Sequence, residues 1–193
     1  MKILLLDNYD SFTYNLVHLV EQFDGVEVFV HRNNEFRVED AHHFDKILLS
    51  PGPGLPDDAG VLKQFIREMA GKKSIFGVCL GMQAIAEVFG GTLFNLENVQ
   101  HGIASLTTVV DPSEIIFKDL PLQFTTGRYH SWMVNNENLP GCFQITSVDS
   151  NRQVMSLRHK EYDVCGVQFH PESVLTEFGK EMMGNWVNAD LRM

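Results

Sequence analysis

Residues 74–83 read SIFGVCLGMQ, and this stretch decides the fold. An apolar run (74–78) meets Cys79, which stands between Gly77 and Gly81, and a helical pattern follows in MQAIAEVFG (82–90). Strand, sharp turn, helix is the order a nucleophile elbow requires, and G-x-C-x-G is the thiol counterpart of G-x-S-x-G. On so tight a turn the backbone is strained, and the residues two before and two after crowd together, so glycine fits both places. The turn lifts the sulfur above the C-terminal edge of the sheet, where open α/β sheets bind ligands. The helix that follows presents its N-terminus to the sulfur, an end that favours negative charge and hence the attacking thiolate. A plainer reading is a buried cysteine between packing glycines, and the rest of the chain must decide between the two.

Working outward, short apolar strands alternate with amphipathic helices. KILLLD (2–7), VEVFVH (26–31), DKILLS (45–50) and SIFGV (74–78) read as strands. SFTYNLVHLVEQF (11–23), residues 60–70 and residues 82–90 read as helices, the first with Asp10 or Ser11 as its N-cap. The βαβ rhythm predicts an α/β fold with a mostly parallel central sheet flanked by helices. Residues 92–169 change character: SLTTVV, CFQITSV and QVMSLRH are β-rich and separated by turn clusters, which predicts an added mixed or antiparallel strand region. GVQFH (166–170) reads as one more strand and VLTEFGKEMMGNWVNA (174–189) as a last helix, with Met182, Met183 and Trp186 in the core. No repeat, low-complexity tract or linker interrupts residues 1–193, so one domain is expected.

Composition bounds the function. The chain has 193 residues, 44% of them hydrophobic, and a formal net charge of −10. That is a foldable globular chain whose sign argues against nucleic acid or an anionic membrane as its main partner. Cys79, Cys142 and Cys165 are odd in number, widely spaced and without a CxxC, and the opening MKILLLDNYD is too short an apolar run for a signal core or membrane span. Free thiols in a reducing cytoplasm are expected. Cys142 and Cys165 read as small apolar residues, and His42-His43 have no partner at ligand spacing, so no metal is assigned.

A thiol nucleophile needs a base. In FHPES (169–173), His170 follows an apolar strand and should reach the same sheet edge as Cys79. Pro171 fixes the chain direction, and Glu172 is placed to turn back, orient the imidazole and stabilise its charge. The alternative is a surface histidine beside a solvated glutamate. The loop LSPGPG (49–54) is rigid, and Gly52 has an amide to offer where Pro51 and Pro53 have none. With the Leu80 amide it could hold a developing oxyanion. An ordinary tight turn is the plainer reading of that loop.

Taken in order, SPGPG, GVCLGMQAIA and GVQFHPES resemble the class I, or triad-type, glutamine amidotransferases, over essentially the whole chain. LLLDNYDSFTYNLV, HGIAS (101–105) and RYHSWMV (128–134) are similar to the glutaminase subunits of anthranilate synthase and aminodeoxychorismate synthase. The resemblance implies a flavodoxin-like core and hydrolysis of L-glutamine to glutamate and ammonia through a thioester. It implies Cys79 as nucleophile, His170 as base and then acid, Glu172 as the orienting carboxylate, and Gly52 and Leu80 as the oxyanion hole. It also implies that Gly52, Pro53, Gly54, Gln83, Ser131 and Trp132 hold glutamine. Many relatives carry histidine at Met82, leucine at Trp132, and a lysine inside the HGIAS segment, which bears on the shape of the glutamine pocket and on partner contacts.

The resemblance further implies a partner that uses the ammonia: a chorismate-binding synthase subunit, which would hold chorismate and Mg²⁺, leaving no cofactor in this chain. The chain stops soon after its last helix, so no second catalytic domain is expected. NYDSF (8–12) and HGIAS are the expected contact regions. His130 reads either as lining the pocket rim or, more plainly, as only shaping the loop that carries Ser131. Two other classes compete: a different cysteine hydrolase on the same architecture, and a binding module that has lost catalysis.

Overall fold

The computed structural model describes residues 1–190. The strands are β1 (Lys2–Asp7), β2 (Glu27–Arg32), β3 (Lys46–Leu49), β4 (Ser74–Val78), β5 (Leu93–Asn95), β6 (Ile103–Val109), β7 (Gln123–Arg128), β8 (Trp132–Val134), β9 (Phe143–Asp149), β10 (Val154–His159) and β11 (Val164–Val167). The helices are α1 (Thr13–Val20), α2 (Leu62–Met69), α3 (Leu80–Val88) and α4 (Gly179–Asn188). One 9-stranded sheet runs β2-β1-β3-β4-β11-β10-β9-β6-β7, and β5 pairs with β8 in a separate ribbon. The ladders from β2 to β11 are parallel, and those from β11 to β7 are antiparallel. The α/β reading with an added antiparallel region therefore holds.

Alternation along each strand divides the core into two layers. Leu4, Leu6, Ile47, Leu49 and Ile75 face Leu62, Phe65 and Ile66 of α2 and Ile85 of α3. Ile3, Leu5, Leu48, Phe76 and Val78 face Leu16, Val17 and Val20 of α1 and Met182, Met183 and Trp186 of α4. The inner parallel strands β1, β3, β4 and β11 are buried, which is why they read as apolar runs, whereas the edge strand β2 is only half-buried at best. Each fully buried large side chain contributes about 1.5–3 kcal/mol.

Four elements near the site differ in their boundaries from expectation, each for a local reason. Helix α1 begins at Thr13, after the cap position Phe12, because the Asp10 carboxylate accepts from the Phe12 N–H at 2.7 Å and holds the preceding turn open. Helix α3 begins at Leu80, directly after the elbow, and ends where Gly90 (φ +95°) lets its own amide reach Glu87 O and the Gly91 amide reach Ala86 O. Strand β11 stops at Val167, since the Gln168 amide bonds Met155 O and the His170 amide bonds Gly127 O. The last helix starts only at Gly179, where a β-carbon would lie 1.9 Å from Pro171 O.

Candidate active site

Three neighbouring strands, β3, β4 and β11, deliver the three sequence motifs to one edge of the sheet. Cys79 follows β4 with φ 51° and ψ −103°, a conformation that L-residues rarely adopt. The elbow is held by contact. A β-carbon on Gly77 would lie 2.5 Å from the Gly81 carbonyl carbon, and one on Gly81 would lie 2.7 Å from Leu49 O. The Cys79 amide donates to Val167 O at 2.8 Å, which ties the elbow to the segment that carries the histidine.

His170 Nδ1 and Glu172 Oε1 are 2.7 Å apart, and both side chains are buried. Burial opposes a charge on His170, but hydrogen bonding to Cys79 and Glu172, with their negative charge, outweighs it and pushes the pKa up to about 10. Among the described residues Nε2 has no partner at full hydrogen-bond geometry, so the influence of the Cys79 sulfur on the ring stops short of a regular hydrogen bond. The ring is packed edge-on by Tyr129 at 4.9 Å and Phe12 at 5.9 Å, and Tyr129 OH is 3.1 Å from Ser173 Oγ. Phe12 and Tyr129 are contributions the sequence reading missed; only their tertiary contact with His170 reveals them.

The PGPG loop is anchored by buried polar groups at the end of β1. The Asn8 amide donates to Ser50 Oγ, and Asn8 Nδ2 to Ser50 O, both at 2.8 Å. Gly52 is pressed so closely between Asn8 and Leu80 that a β-carbon would meet Asn8 Cβ at 2.6 Å and Leu80 Cδ2 at 2.8 Å. Gly52 therefore lies against the Leu80 side chain, and among the described residues neither the Gly52 nor the Leu80 amide donates to a backbone acceptor outside the regular elements.

Cys79 lies between two cavities. One, of about 220 Å³, is lined by Gly52, Pro53, Gly54, Gln83, Ser131 and Trp132 together with Cys79, Tyr129 and His130. All six residues expected to hold glutamine line it. The other, of about 420 Å³, is bounded by His170, Tyr129, His101 and the Tyr9–Phe12 segment. Met82, by contrast, is fully buried and packs against Gly166, so this departure from relatives lies behind the elbow and outside the lining of the smaller cavity.

His130 is buried, and among the described residues neither ring nitrogen has a partner at normal hydrogen-bond geometry; the nearby Trp132 backbone acts to raise its pKa but is outweighed. Burial, reinforced by the charges of Arg128 and His170, pushes its pKa down to about 4. It lines the smaller cavity as a neutral imidazole. Gln83 spends both Nε2 hydrogens on Trp132 O (2.8 Å) and Gln168 Oε1 (3.2 Å), which leaves its own oxygen as what it can offer a ligand. Among the described residues no three His, Cys, Asp or Glu side chains converge as metal ligands, and no helix is long and apolar enough to cross a membrane.

Comparison with known proteins adds an independent line. The profile of the family "Glutamine amidotransferase class-I" matches residues 4–189. The chain is 43% identical to "Aminodeoxychorismate/anthranilate synthase component 2" of Bacillus subtilis (strain 168), covering 97% of this chain and 96% of the relative. It is 42% identical to "Aminodeoxychorismate synthase component 2" of Escherichia coli (strain K12), covering 96% and 99%. Among solved structures, a glutamine amidotransferase from Thermotoga maritima superposes with a TM-score of 0.77 at 16% identity, covering 97% of this chain and 80% of that one, a likeness of fold.

Proposed function

We infer the function from a chain that belongs to the glutamine amidotransferase class-I family, and propose that it is the glutaminase subunit of anthranilate synthase, passing ammonia to a chorismate-using partner. The observation that carries this reading is the buried His170, paired with Glu172 at 2.7 Å and lining a cavity that Cys79 also lines. In this reading His170 acts as the base that takes the proton of the Cys79 thiol. Cys79 Sγ attacks the side-chain amide carbon of glutamine seated in the smaller cavity, and the amides of Gly52 and Leu80 receive the oxyanion. Collapse breaks the C–N bond while His170 Nε2 gives its proton to the departing nitrogen, leaving ammonia and a thioester. Water then loses a proton to His170, adds to the thioester carbon, and expels sulfur to yield glutamate.

The partner would meet this chain through Asn8–Phe12 and His101–Ser105, where Tyr9 and Ile103 are exposed. Chorismate and Mg²⁺ would be held by that partner. Docking beside the His170 cavity would order the site, a gating role common for loops. A glutaminase rate that is equal with and without the partner and chorismate would refute that gating.

A second reading, the same role in aminodeoxychorismate synthase or in both complexes, is favoured by the double name of the Bacillus relative. Two measurements test the proposal. 6-Diazo-5-oxo-norleucine should give one adduct, at Cys79, suppressed by glutamine and absent in Cys79→Ser; labelling elsewhere rejects the mechanism. Pairing the chain with each purified synthase and identifying the aromatic product then separates the branches.

A further inference from the structure

We infer that Gln168 is a positioning residue for the nucleophile, the last link of an amide relay that aims a hydrogen-bond donor at Cys79 sulfur. The relay starts from a group whose role is not adjustable. The Trp132 carbonyl can only accept, and Gln83 Nε2 donates to it at 2.8 Å. That fixes which end of the Gln83 amide is which. Its second hydrogen goes to Gln168 Oε1 at 3.2 Å, and this in turn leaves Gln168 Nε2 directed at Cys79 Sγ, 3.5 Å away. Gln168 has no solvent exposure, so water offers no alternative partner. Its backbone is pinned as well, with its amide on Met155 O at 2.8 Å.

A donor aimed at sulfur favours the thiolate over the thiol. Sulfur thus receives the Gln168 amide from the same short segment that supplies the His170 ring, two residues on. The starting carbonyl belongs to Trp132, in the wall of the smaller cavity. A ligand that shifts residues 131–132 therefore reaches the nucleophile through two side-chain amides.

The inference rests on Cys79 being the nucleophile, and its test is chosen to stand apart from glutamine. The alkylation rate of Cys79 by iodoacetamide is followed across pH in the purified full chain, with adducts located by peptide mass spectrometry. Wild type is compared with Gln168→Met, which keeps the volume, and Gln168→Glu, which turns the donor into an acceptor. The half-buried Cys142 reports on the fold in the same sample. At neutral pH, Cys79 alkylation is expected to slow about tenfold in Gln168→Met and more in Gln168→Glu, with the profile displaced to higher pH and the Cys142 rate unchanged. A Gln168→Met profile that overlays wild type overturns the inference. Should that variant also alter Cys142, Gln83→Met breaks the relay one link earlier and is judged by the same displacement or overlay. Wild-type labelling by 6-diazo-5-oxo-norleucine is read separately. Its failure counts against the glutaminase reading and leaves the iodoacetamide comparison intact.

Discussion

Replacing Glu172 by glutamine keeps the shape of the His170 partner and removes its charge. The carboxylate side chain has 0% exposure and the imidazole 3%, so solvent screens the pair very little. A hydrogen bond to a charged group is worth about 1.5–3 kcal/mol and a neutral one about 0.5–1.5 kcal/mol. The difference, about 1–1.5 kcal/mol, corresponds to roughly a tenfold fall in kcat. KM should hardly move, because Glu172 is absent from the lining of the smaller cavity. The ring should also lose its proton at lower pH. In the wild type the stabilisation from this raised pKa is fully present below 6.5 and is lost as pH rises through about 10. In Glu172→Gln the loss begins earlier on the way up. Glutamate release in the presence of the synthase partner gives kcat and KM, and the imidazole NMR signals give the titration. A kcat within about twofold of wild type, with an unmoved ring titration, would refute the reasoning.

Other expectations follow from the same geometry. Gly77→Ala puts a β-carbon 2.5 Å from the Gly81 backbone; it should cost about 1–3 kcal/mol in urea unfolding and slow Cys79 alkylation, because backbone cannot swing aside as a side chain can. His130 is neutral in the fold down to about pH 4 but charges near 6.5 when unfolded, so wild-type stability should drop as pH falls from 6.5 to 4, by on the order of 3 kcal/mol, and His130→Phe should flatten that slope. Lys46 Nζ donates to Trp186 O and Ala189 O, both at 2.6 Å, at the C-terminal end of α4; Lys46→Met should lower the unfolding free energy by about 2 kcal/mol, read by chemical denaturation, because it strands two carbonyls at the negative end of the helix dipole.

What was legible in the sequence is what local chemistry determines. The elbow shows itself because Gly77 and Gly81 are required by a turn only a few residues long. Glu172 is legible because two residues and a proline are enough to bring it back to His170. The inner parallel strands announce themselves by their burial. The β-rich half resists because antiparallel order depends on distant pairings: β6 lies between β7 and β9, and β8 leaves the main sheet to pair with β5. Gln168 escaped notice for a related reason. An amide two residues before a histidine has no pattern of its own, and its meaning comes from Gln83, 85 positions away. For His130 the sequence leaves two readings open, lining the rim and shaping the loop, and burial with the cavity lining favours the first.

The two chambers on either side of Cys79 share Gly52, Pro53, Cys79 and Tyr129. In the proposed role, a covalent inhibitor confined to the smaller chamber would meet a wall shaped by the need to seat glutamine, with little beyond Trp132 to discriminate by. A tail that passes the sulfur into the larger chamber would touch Tyr9, Phe12 and His101, side chains free of the demand to recognise glutamine. Selectivity among related enzymes should therefore be sought beyond the warhead, on the histidine side of the sulfur.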